Sequence, residues 1–93
     1  MKWYSYIGYF FAGMLLANVV PHFVMGITGQ EFQTPFANPS SPTANVLWGF
    51  LNLIAGYIII IALGGLDLKF NMKTAVTALG ALTLAIMLSF AFA

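Results

Sequence analysis

The sequence predicts an all-α membrane protein of three transmembrane helices, with its N-terminus inside and its C-terminus outside. Three observations carry that expectation. Charged residues make up 5% of the chain and hydrophobic ones 61%, where an ordinary soluble domain is about 25% charged. The apolar residues gather in three runs, each long enough as a helix to cross a hydrocarbon core of about 30 Å. All the charges, Lys2, Glu31, Asp67, Lys69 and Lys73, fall outside those runs. A soluble chain of 93 residues needs polar side chains over much of its surface. Those side chains are missing, and contact with lipid tails is what this composition suits.

The chain reads as a single transmembrane domain over residues 1–93, its first span covering about residues 7–25. Trp3, Tyr4, Tyr6 and Tyr9 precede or open it, and amphipathic rings at one end of a span act as interfacial anchors. Lys2 ahead of an apolar run resembles the start of a signal peptide. No small-x-small site closes the run, which passes instead into Asn18, Pro21 and His22, so it is read as a span. Gly26 and Gly29 end it.

A loop over about residues 27–41 follows, in which Pro35 and Pro39 forbid a long regular helix. Phe32 and Phe36 are too apolar for a loop held in free water, so they are expected on the membrane surface or against the helix ends. Ser41-Pro42 has the form of a helix start, serine as N-cap and proline at the first helical position. The second span covers about residues 44–63. Its β-branched stretch near Ile58–Ile61 suggests a strand in water, but a lone strand in lipid leaves its backbone unpaired, so helix is expected. Gly64-Gly65 stops it, a loop over about residues 64–73 carries Asp67, Lys69 and Lys73, and Asn71 is placed to cap a third span over about residues 74–93.

Charge sets the orientation. Three crossings put Lys2, Lys69 and Lys73 on one side and leave Glu31 alone on the other. Positive charge concentrates in cytoplasmic segments, so the N-terminus and the loop of residues 64–73 are expected inside and the loop of residues 27–41 extracytoplasmic.

Composition also limits function. Without arginine, and with a net charge of +1, the chain lacks the basic stripe of a nucleic-acid binder. Without cysteine there are no disulfides and no thiolate chemistry. One histidine, with Glu31 as the only carboxylate expected on its side, is poor material for a metal centre. Neither a catalytic constellation nor a phosphate-binding glycine loop is visible, so no enzyme and no cofactor are expected.

The polar positions of interest lie inside the spans. Pro21 deprives the carbonyl of Ala17 of its helical donor and is expected to kink the first helix. Asn18 and His22, four residues apart, share one face of it. They form either a site, with His22 as relay, ligand or gate, or a structural pair in which His22 bonds the first loop and Asn18 helps satisfy the kink. On the second helix Asn45, Gly49, Asn52 and Gly56, spaced four, three and four, make one stripe. The glycines suit a close helix contact across which Asn52 hydrogen-bonds. The alternative is that Asn45 and Asn52 line a polar conduit. Small residues recur on the first helix at Gly8, Ala12, Gly13 and Ala17, and on the third at Thr74, Ala78, Ala81, Ala85 and Ser89.

The string from Asn18-Val-Val-Pro-His-Phe through Phe32-Gln-Thr-Pro-Phe-Ala, followed by Trp48-Gly-Phe-Leu-Asn, resembles small multi-spanning membrane proteins of bacteria. It covers about the first two-thirds of the chain. The resemblance implies a multi-pass protein of the cell membrane, the inner one in such a bacterium, and implies no activity. Two functions remain open: a packing or accessory subunit, in a homo-oligomer or with other membrane subunits, and an oligomeric channel or transporter for a small solute or ion.

Overall fold

A computed structural model describes residues 2–92. It is helical, with α1 at Trp3–Ile27, α2 at Pro42–Ala62 and α3 at Met72–Ala91, and a hairpin of β1 (Phe32–Thr34) and β2 (Ala37–Ser40) between α1 and α2. All three helices are long and apolar enough to cross a membrane. At 1.5 Å per residue they measure about 37, 31 and 30 Å, and the molecule is 41 Å along its longest axis. The expected spans lie within these helices, except that α2 ends at Ala62 with Leu63 as its cap and α3 at Ala91 with Phe92 as its cap, and residue 93 of the expected third span lies outside the described residues.

Burial runs opposite to that of a water-soluble protein. Tyr9 and Ala12 are the buried hydrophobic residues, and His22, Asn45 and Asn52 are buried with them. Glycines at 13, 26, 49, 56 and 80 complete the interior. Phe11, Val20, Leu47, Ile58, Leu82 and Phe90 point outward. Small and polar groups inside, with large apolar groups outside, are what lipid selects: burying a leucine gains nothing against acyl chains, whereas close backbone approach and hydrogen bonds do.

The helices stand in a row. α1 packs along both α2 and α3, which share no packed interface of their own among the described residues. The α1/α3 crossing depends on Gly13 and Gly80. A Cβ on Gly13 would run into the carbonyl of Thr77, and one on Gly80 into the carbonyl of Phe10. The expected third-helix stripe is only partly in the contact: Ala81 sits half-buried with its backbone N close to Gly13, while Ala78, Ala85 and Ser89 are exposed. On the α1/α2 side Gly56 meets Leu16, and Gly49 meets the Cβ of His22 and the carbonyl of Val19. Gly8 faces the side chain of Leu63.

Two local features differ from the sequence reading. The loop over residues 27–41 holds an antiparallel hairpin, with Phe32 paired to Ser40 and Thr34 to Ala37. Pro35 takes a turn position, where a fixed φ is an advantage, and the Thr34 hydroxyl accepts from Phe36 N at 3.2 Å. The hairpin closes with Thr34 Oγ1 and Ser40 Oγ at 2.6 Å. Tyr9 is not an interfacial anchor but fully buried. Its hydroxyl donates to the carbonyls of Leu63 at 3.1 Å and Gly65 at 2.7 Å, satisfying groups that the end of α2 leaves without helical donors. Pro21 lies within α1, as a first span running through it requires.

The remaining boundaries follow from capping. Ser41 Oγ accepts from Ala44 N at 3.1 Å, with Pro42 in the first turn. Asn71 and Thr74 form a reciprocal capping box at the start of α3. Between α2 and α3, Gly64 and Gly65 adopt φ of +107° and +84°, which end the helix without the strain a Cβ would add.

Candidate functional site

The polar residues singled out from sequence meet at the hairpin end of the α1/α2 seam. Asn45 is at the centre, fully buried on the first turns of α2. Its Nδ2 donates to the carbonyls of Phe32 at 2.9 Å, Ser41 at 3.1 Å and Ser40 at 3.3 Å. Three acceptors around one nitrogen fix the orientation of the amide, so Oδ1 must be the atom facing α1. There it lies 2.8 Å from His22 Nδ1. An oxygen acceptor at Nδ1 makes Nδ1 the protonated nitrogen of the neutral ring, and Nε2 then carries the lone pair.

A second chain of amides runs beside the first. Asn52 Nδ2 donates to the carbonyl of Trp48 at 2.8 Å, one turn back on its own helix. Its Oδ1 accepts from Asn18 Nδ2 at 3.2 Å. With its nitrogen so used, Asn18 presents Oδ1 in the opposite direction. Both chains have the same polarity: each starts at a backbone carbonyl and ends on α1 at an acceptor. Neither His22 Nε2 nor Asn18 Oδ1 has a hydrogen-bond partner among the described residues, and neither is sealed from its surroundings.

Both residues line a cavity of about 350 Å³ beneath the hairpin, together with Phe32, Thr34, Trp48 and Phe92. Aromatic rings wall it. The His22 ring lies 5.4 Å from Phe32 and edge-on to Trp48 at 6.4 Å, and Phe32 lies 5.2 Å from Phe92 at the end of α3. Phe36 covers Trp48 edge-on at 5.4 Å. The expectation that the loop phenylalanines rest against the helix ends describes Phe32, while the side chain of Phe36 remains mostly exposed.

Beside this cavity, α1 and α3 diverge from their glycine crossing and leave an open apolar groove of about 750 Å³. Val20, Pro21, Val24, Leu82 and Ala85 line it, and Phe32, Leu88 and Phe92 are shared between groove and cavity. No charged side chain lines either space.

The structure thus brings Asn18, His22, Asn45 and Asn52 together, with Gly49 and Gly56 setting the helix separation. Gly8 and Ala81 lie away from them, at the Leu63 contact and the α1/α3 crossing. Sequence reading missed Phe32, Trp48 and Phe92 as cavity walls. Only Trp48 carried a signal, standing four residues before Asn52 on the same face of α2. No protein-family model, no curated protein and no solved structure matches the chain.

Proposed function

We propose that the protein is a small integral membrane subunit that packs within a larger assembly, either with copies of itself or with other membrane subunits. One observation carries this reading: the helices form an open row. With α2 and α3 unpaired, α1 is left uncovered between them along a trough lined by Phe11, Met14, Leu15, Asn18, Asn52 and Leu84. A helix from a neighbouring subunit laid in that trough closes the row into a four-helix layer and shields the two amides from lipid, which favours association within a bilayer.

The channel or transporter reading, with Asn18, His22, Asn45 and Asn52 along a path, has weaker support. Asn45 is fully buried and its amide is used up on carbonyls and on His22. Asn52 spends both ends of its amide on Trp48 and Asn18.

The mass of the particle in a mild detergent, measured by light scattering with identification of co-purifying chains, tests the subunit reading. A particle larger than one 10.1 kDa chain, or a stoichiometric partner, is expected, and Leu15→Trp, which fills the trough, reduces it to the monomer. A stable monomer with no co-purifying chain overturns the reading.

A further inference from the structure

We propose that the cavity at Asn18 and His22, with the α1/α3 groove beside it, binds a lipid hydroquinone: a flat ring carrying O–H donors on an apolar tail. The site shares Asn18 with the trough of the proposed subunit contact and otherwise lies on separate residues, so its test is made on His22, Trp48 and Ala85, outside that trough.

The first argument is hydrogen-bond polarity. His22 is 6% exposed, and its Nε2 is an acceptor with no hydrogen-bond partner among the described residues, in a cavity also lined by Gln33, Asn38 and Trp48. Asn18 Oδ1 is a second acceptor on the same helix face. An acceptor without a partner in a largely apolar cavity is costly, so a head that donates fits here better than one that only accepts. Two acceptors one helical turn apart match a head that carries more than one O–H.

The second argument is shape. Phe32, Trp48 and Phe92 surround the cavity with ring faces and edges, the environment that holds a planar ring by offset or edge-on contact. A volume of about 350 Å³ is on the scale of a small ring with substituents.

The third argument is charge. A phospholipid head brings a phosphate, and neither space offers a lysine to meet it. A neutral head is matched and an anionic one is not. The groove supplies the rest of the amphiphile. It opens directly off the cavity past Phe32, Leu88 and Phe92, it is apolar, and it runs between two helices long and apolar enough to cross a membrane.

The test uses Trp48 as reporter. The chain has two tryptophans, so Trp3→Phe leaves one, in the cavity wall. The whole protein in detergent is titrated anaerobically with a decyl-substituted hydroquinone, with the dimethyl ether of the same compound, and with dodecanol. Saturable quenching by the hydroquinone is expected, with the ether and the alcohol weaker by about tenfold or more because they lose the donors or the ring. In the same background His22→Phe, which keeps a ring against Phe32 but removes Nε2, weakens hydroquinone binding by a similar factor. Ala85→Phe fills the tail groove from an exposed position outside the hydrogen-bond network and also weakens it, a result that stands even where His22→Phe fails to fold. Equal binding of hydroquinone and ether, an unaltered titration in Ala85→Phe, or quenching that rises without saturation would each overturn the proposal; the last identifies simple partitioning, with water alone satisfying the two acceptors.

Discussion

His22 and Asn45, 23 residues apart in sequence, meet Nδ1 to Oδ1 at 2.8 Å in the buried junction of α1, α2 and the hairpin. This contact joins three elements, because the same Asn45 amide holds the backbone of β1 and β2 through Phe32 and Ser40. It also sets the histidine tautomer, and with it the atom presented to the cavity.

Replacing Asn45 by leucine removes the side-chain donor from the carbonyls of Phe32 and Ser40 and the acceptor from the Nδ1 proton of His22, while the Ser41 carbonyl keeps the backbone N–H of residue 45. A loss of about 2–4 kcal/mol is expected, from several buried groups at once. Asn52→Leu breaks one interhelical bond, and such bonds in membranes average about 0.6 kcal/mol with a ceiling near about 1.7. Reversible unfolding of the micellar protein by a denaturing detergent measures both. Equal losses would contradict the central role given to Asn45.

Two glycine substitutions should differ in sign. Gly80→Ala drives a methyl into the backbone of Phe10, forcing α1 and α3 apart at a cost of about 1–3 kcal/mol. Gly49→Ala meets its nearest atom, the Cβ of His22, at 3.4 Å, a contact that small adjustments relieve, and it gains up to about 1 kcal/mol in helix propensity. The same unfolding measurement ranks them, with Gly80→Ala clearly less stable than the parent and Gly49→Ala close to it or above it.

Tyr9→Phe removes the hydroxyl that binds the carbonyls of Leu63 and Gly65. The expected result is a loss of about 1–2 kcal/mol and faster proteolytic cleavage in the turn between α2 and α3. Tyr4→Phe is the control, since Tyr4 is exposed and has no such contact. Indistinguishable variants would show that the turn is held by its own residues.

How far these features were legible in the sequence follows from their physical range. The spans depend on composition over about twenty residues, and the α2 stripe of Asn45, Gly49, Asn52 and Gly56 on helical spacing. Both are local, and all four stripe residues are buried in α2. Gly13 and Gly80 matter because two helices cross where they do, 67 positions apart in the chain, and spacing along α3 alone pointed to Ala81 at that crossing but not to Gly80 beside it. Tyr9 belongs by composition to the aromatic cluster of Trp3, Tyr4 and Tyr6. Only the folded position of the α2 terminus shows its hydroxyl buried against Leu63 and Gly65. The hairpin was hidden by its brevity, since strands of three and four residues carry too little alternation to register.

In the topology we propose, three crossings put Lys2, Lys69 and Lys73 on one face of the bilayer and the hairpin on the other. The native chain has no cysteine, so single Lys2→Cys, Asn38→Cys and Lys69→Cys variants give clean reports with a membrane-impermeant thiol reagent. Labelling of the Asn38→Cys variant in intact cells, with the other two labelled only after permeabilisation, is the predicted result. Labelling of the Lys2→Cys and Lys69→Cys variants from opposite sides would contradict it.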